Sequence, residues 1–150
     1  MTARGRLLWV STLGGALLVP AMAADKVKME DLPAAVQASV KEQTRNATLV
    51  SISKEVEKGK TVYEVETSVN GKTRDLMLDA AGKVTSIEEE ADLAGIPDAA
   101  RQAIQKRAAG GTVKKVEIVT VGSIVTYEAA IQKAGKSFEL TVNADGSAHK

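Results

Sequence analysis

The chain has 150 residues, 44% apolar and 26% charged, with a formal net charge of +1 and no cysteine. A balance so close to neutral gives no electrostatic case for nucleic acid or an anionic membrane as partner, and neither is expected; the missing cysteines exclude a disulfide frame. With aromatic residues at only 3%, the core must be built from Val, Ile, Leu and Ala.

In chain order, residues 1–23 come first and read as a secretory signal. Arg4 and Arg6 make a positive start, and Leu7 to Val19 is apolar apart from Ser11, Thr12 and two glycines. Pro20 breaks the run, and Ala21-Met22-Ala23 offers the small residues of a cleavage site. The run is shorter than the roughly 20 apolar residues that a membrane-spanning helix needs, and no cysteine stands at the cut to carry a lipid. Cleavage after Ala23 removes two arginines and no acid, which takes the net charge from +1 to −1. The expected location is periplasmic or secreted.

The remainder matches itself at a shift of 64 residues without a gap. Pro33 falls on Pro97, Tyr63-Glu64 on Tyr127-Glu128, Gly71-Lys72 on Gly135-Lys136, Leu76 on Leu140 and Gly82 on Gly146. Ordered matching of turn glycines and strand apolars reads as two copies of one unit, 24–90 and 91–150. Each unit opens with a helix. Pro33 and Pro97 suit a first helical position, Leu32, Val36 and Val40 recur at helical spacing, and Ala100, Ala103 and Ile104 line a face of the second. Asn46 and Gly110-Gly111 are the expected stops.

Strands follow each helix. Lys58-Gly59 and Asn70-Gly71 separate alternating runs, and Asn-Gly favours a two-residue hairpin because both turn positions need positive φ. Two such turns pair Val65 with Leu76, Tyr63 with Leu78, Ile52 with Val65 and Lys54 with Tyr63. Directly opposed side chains share a face. One face therefore collects Val50, Ile52, Val56, Tyr63, Val65, Leu76 and Leu78, and the other Glu55, Glu57, Glu64, Glu66 and Asp75. A fourth short strand runs from Lys83 to Ile87. In the second unit, Gly122-Ser123 and Ala134-Gly135 align Val116, Ala129 and Leu140, then Ile118, Tyr127 and Val142, with Ile131 opposite Phe138 and a last strand from Ser147 to Lys150. The acidic run Glu88 to Asp92 reads as a solvated connector. The expected fold is α+β, two tandem repeats, each a helix followed by a four-stranded antiparallel meander, with the helices packed on one sheet face. Such small units are marginal alone, so the two should join as one continuous sheet or as two docked halves.

Leu-Pro-x-x-Val at 32–36, Tyr63-Glu64-Val65, Asn70-Gly71-Lys72, Leu76 and Asp79-x-x-Gly82-x-Val84 resemble a PepSY-like module. The doubled arrangement is similar to the β-lactamase-inhibitor-like (BLIP-like) tandem, and covers Leu32 to Gly146. The resemblance implies an exported, non-catalytic binding role, of the kind proposed for inhibitors or regulators of envelope hydrolases. No run of residues lets β-lactamase contact positions be carried over.

No catalytic constellation stands out. The single histidine, His149, is next to the last residue, where chains are usually mobile. Zinc ligation wants clustered Cys and His, and Glu88 to Asp92 lacks the spacing of an EF-hand. No Gly-rich loop opens a helix to cradle phosphate. The strand carboxylates are expected to face water, with little to perturb their pKa values. No enzyme activity, cofactor or metal is expected. A protein partner is. Its candidate contacts are Val119, Val121 and Ile124, an apolar cluster on the face away from the helices, with Glu128 and Glu64 as orienting charges. The alternatives are a small-ligand or cation-binding envelope protein and a self-associating component.

Overall fold

The computed structural model describes residues 25–149, so the secretory signal expected at residues 1–23 lies outside the described residues. The Asn70-Gly71 turn is the simplest place to begin. Asn70 has φ 52° and Gly71 φ 81°, the pair of left-handed residues that closes a two-residue hairpin. It joins β3 (Lys60–Val69) to β4 (Lys72–Asp79). The Lys58-Gly59 and Ala134-Gly135 turns, with φ of 49° and 78°, and of 50° and 76°, do the same. They join β2 (Thr48–Glu57) to β3, and β7 (Ile124–Lys133) to β8 (Lys136–Val142). The registers follow those turns: Val65 lies opposite both Ile52 and Leu76, Tyr63 opposite Lys54 and Leu78, and Ala129 opposite both Val116 and Leu140.

The architecture departs from two tandem helix-plus-four-strand repeats. It is one antiparallel sheet of eight strands in sequential order, with two short helices. Three observations overturn the repeat. A two-residue strand, β1 (Asp25–Lys26), adds to the outer edge of β2. The acidic run is not a connector: β5 spans Val84–Glu90, and Ile87 to Glu90 pair with Thr120 to Glu117 on β6 (Thr112–Val121). Ser147 to His149, where the last strand is expected to begin, form no strand, only a bridge between Val142 and Ala148. The physical reason is edge satisfaction. The free edge of β5 carries unpaired N–H and C=O groups, and β6 supplies their partners while the acidic side chains stay on the outside.

Helix α1 (Ala34–Gln43) and helix α2 (Asp98–Ala108) begin right after Pro33 and Pro97. Helix α1 ends at Thr44, whose Oγ1 donates to the Val40 carbonyl at 2.8 Å, two residues before the expected Asn46. Val36 and Val40 pack with Val65, Leu76 and Leu78 in one core; Ala100 and Ile104 pack with Val116, Ala129, Ile131 and Val142 in a second. Sheet parity, carried through the Ile87–Thr120 pair, places both helices on the same face. Each fully buried aliphatic side chain contributes roughly 1.5–3 kcal/mol. The turn glycines seat the helices: a Cβ on Gly82 (φ 80°) would lie 2.5 Å from the Ala35 carbonyl oxygen, and one on Gly146 (φ 80°) 2.6 Å from that of Ala99.

Val50 is not in the core. A bulge between Leu49 and Ser51 sets Leu49, 37% exposed, opposite Thr67 and leaves Val50 63% exposed. Val56, near the end of β2, is exposed as well.

Candidate functional site

Because both helices cover one side, the opposite face of the sheet is left without a covering element, and it collects carboxylates. Asp75 on β4 lies opposite Glu66 on β3 and Glu88 on β5. Glu117 on β6 lies opposite Glu90 on β5 and Glu128 on β7. Like charges directly opposed across strands are destabilising, so these two rows strain the sheet unless something neutralises them. Part of the compensation is internal. Lys115 Nζ sits 2.6 Å from Glu117 Oε1, Ser51 Oγ donates to Glu66 Oε2, and Ser53 Oγ donates to Glu64 Oε2 at 3.4 Å. Glu90 accepts from the Thr73 N–H at 3.2 Å and from its hydroxyl at 3.1 Å. These bonds hold the Glu90 carboxyl below its ordinary value.

The expectation of water-facing carboxylates fails for Asp75 and Glu64, and that of little-perturbed pKa values fails for Glu90 and Glu128. Asp75 is only 5% exposed and Glu64 only 9%: Asp75 is short and stands between the longer Glu66 and Glu88. The Glu128 carboxyl is pushed up from 4.5 to about 7, first by desolvation and then by Glu139, Glu88 and Glu117, against a 3.2 Å hydrogen bond from Thr141 Oγ1. Oxygens of Asp75, Glu88 and Glu117 lie within 4.8 Å of one another, a spacing at which one hard cation can be shared. Among the described residues this is the group placed to hold a metal.

The sequence-derived contacts divide. Val121 and Ile124 are a cross-strand pair at the tip of the β6–β7 hairpin, 52% and 54% exposed. They share the open face with Val119, which is half-buried opposite Glu88, and with Glu128. Glu64 is not with them. It lies on β3, four strand spacings or roughly 19 Å from β7. Asp75, Glu88 and Glu117 escaped the sequence reading because their meeting depends on the β5–β6 pairing, which no local turn announces. His149 is exposed but tied down: its N–H donates to the Thr141 carbonyl at 3.1 Å, and Nδ1 lies 2.9 Å from Asn143 Oδ1.

A shallow polar hollow of about 500 Å³ lies on the helix side, past the end of α1, lined by Gln43, Arg45, Arg74 and Glu89 among others. Arg74 is spoken for there, by Glu89 at 3.3 Å and the Gln43 side-chain oxygen at 3.2 Å.

A single antiparallel sheet with two helices on one face is an α+β fold of the BLIP-like kind. Solved structures share it. They include a BLIP-like protein from Bacteroides fragilis (TM-score 0.61, 20% identity, 79% of this chain and 84% of that one). A DUF2874 family protein from Bacteroides ovatus gives a TM-score of 0.64 at 16% identity, over 79% of this chain and 85% of that one. A protein from Bacteroides eggerthii, described as a candidate periplasmic one, gives 0.67 at 16%, over 79% and 86%. These likenesses show the fold. No family model and no curated protein matches the chain, so the PepSY resemblance rests on the residues quoted for it. Among the described residues, no helix is long and apolar enough to cross a membrane.

Proposed function

We propose that the chain is an exported, non-catalytic binding protein that takes a basic, partly apolar polypeptide segment onto its open sheet face. The observation that carries this reading is the pair of opposed carboxylate rows, Glu66–Asp75–Glu88 and Glu90–Glu117–Glu128, running up to the exposed Val121–Ile124 pair. Cationic side chains relieve the repulsion along the rows, and an apolar residue covers the hairpin tip. Regulation or inhibition of an envelope peptidase or other hydrolase would follow if the bound segment belonged to such an enzyme. The BLIP-like fold supports that finer reading only by kinship of shape.

An alternating Lys–Val decapeptide, labelled for fluorescence anisotropy, tests the proposal. Binding is expected at low salt and is weakened by high salt and by Glu128→Gln with Glu117→Gln. It is weakened as well by Val121→Asp with Ile124→Asp. Equal affinity in all three proteins removes the surface. The Asp75–Glu88–Glu117 cluster favours a second reading, a divalent-cation-binding protein. Calcium added alone, raising the melting temperature of the wild type but not of Glu88→Gln, would support that reading over the first.

A further inference from the structure

Opposite in sign to the open face is one end of the second half of the molecule. Residues 105–115 and 131–138 contain six cations and no acid. The fold brings these stretches together. A Cβ on Gly111, just past α2, would lie 2.9 Å from Lys133 Cβ, and the Arg107 guanidinium sits 5.3 Å from the centre of the Phe138 ring. Lys133 and Lys136 are directly opposed across the β7–β8 hairpin.

Lys106 and Arg107 at the end of α2 have an ordinary structural use, since cations suit the negative end of the helix dipole. That does not account for Lys114, Lys133 and Lys136. Among the described residues, none of these five cations is in an ion pair, whereas the same end of the first half is neutralised. There Lys72 pairs with Asp92 at 2.6 Å, Arg74 with Glu89 at 3.3 Å, and Arg45 with Glu42. Sixty-four residues before Lys106, Arg107, Lys114 and Lys133 stand Glu42, Gln43, Val50 and Val69. At those four positions the second half carries a cation and the first carries none, while Lys136 falls on Lys72, which Asp92 pairs.

We propose that this basic pole docks the protein on an anionic phospholipid membrane surface. The pole is made of a helix end and a hairpin tip, and nothing lies within 4 Å of a Cβ built on Gly135 in that tip. Cations spread over a helix end and a hairpin tip suit a planar sheet of anions better than one small anion. Lysine heads on flexible stems suit such a surface, where each basic residue adds to the attraction. The overall charge near zero conceals the pole because the carboxylates lie on the other face.

Cosedimentation of the envelope-exported protein with phosphatidylcholine vesicles, with and without about one third phosphatidylglycerol, tests this. The expected result is binding only to the anionic vesicles at low salt and release at high salt. Lys133→Gln with Lys136→Gln should lower partitioning about 25-fold, at about fivefold per charge; Lys133→Arg with Lys136→Arg should retain it and shows that the site tolerates substitution. Equal partitioning of the wild type and the Gln pair overturns the proposal, as does equal binding to neutral vesicles. Displacement by inorganic phosphate at constant ionic strength would overturn it in favour of a discrete anion site. Sedimentation of the protein alone, showing self-association that depends on the same lysines, would put a second copy on the pole instead.

Discussion

Replacing Glu128 by Gln isolates the electrostatic strain of the open face. In the folded protein this carboxyl holds its proton up to about pH 7, while unfolded it releases it near 4.5. Folding therefore takes up a proton between those values, and stability falls as pH rises through that window and levels off above it. A change from 4.5 to about 7 sets a ceiling of about 3.4 kcal/mol at roughly 1.4 kcal/mol per pH unit. Solvent screening of this half-buried group brings the expected value to about 1–2 kcal/mol. The variant cannot ionise, so it should match the wild type near pH 4 and exceed it by that amount at pH 8. Urea unfolding at closely spaced pH values reads both curves. Glu55 is raised too, by desolvation and then by Glu57, and leaves a weaker slope of the same sign in the variant. Glu90 is lowered, and its contribution is lost only as the pH falls below 4.5. Wild-type and variant curves that run parallel from pH 4.5 to 8 would refute the account of Glu128.

Gly82→Ala should cost about 2–4 kcal/mol, because it adds a clash with the Ala35 carbonyl to the roughly 1–2 kcal/mol of a left-handed alanine. Gly59→Ala, with nothing within 4 Å of its Cβ, should cost only the latter; equal losses in thermal melts would discredit the seating of α1 on that turn. Ile104→Ala empties the centre of the second core and should lower stability by about 2–5 kcal/mol in urea, whereas a loss below about 1 kcal/mol would mean that α2 does not anchor there. Val121→Asp with Ile124→Asp should change stability by no more than about 0.5 kcal/mol per site, since both side chains are more than half exposed; a large drop in melting temperature would show that the hairpin tip is structural.

Hairpins were the legible part of this fold. Asn70-Gly71 and Ala134-Gly135 set local registers that hold along whole strands, down to the Ile131–Phe138 pair. The bulge at Val50 was not legible, because Leu49 and Val50 are both apolar and either can take the place opposite Thr67. The β5–β6 pairing was less so. Glu88-Glu89-Glu90 has the composition of a solvated linker, and it forms a strand because the edge it completes matters more than its propensity. The candidate site suffered from the same gap. Val121 and Ile124 were visible as apolar residues on an otherwise wet face, while Asp75 could not be read as buried without knowing that Glu66 and Glu88 flank it on both sides. The basic pole lay in plain view in residues 105–115, hidden only by summing charge over the whole chain.

The pairing of β5 with β6 is where structure and proposed function meet. The two cores are separate, one under each helix, and only four residue pairs join the strands between them. Across that seam Glu88 from the first half is set against Glu117 from the second, with Asp75 behind them. Three close carboxylates thus sit on the seam between the two cores. Elements with few buried contacts open at lower cost than the cores beside them, so a cationic segment laid across β4 to β7 would both neutralise the rows and clamp the halves together. Its binding energy would then depend on the continuity of the sheet itself, which two merely tethered repeats would not provide.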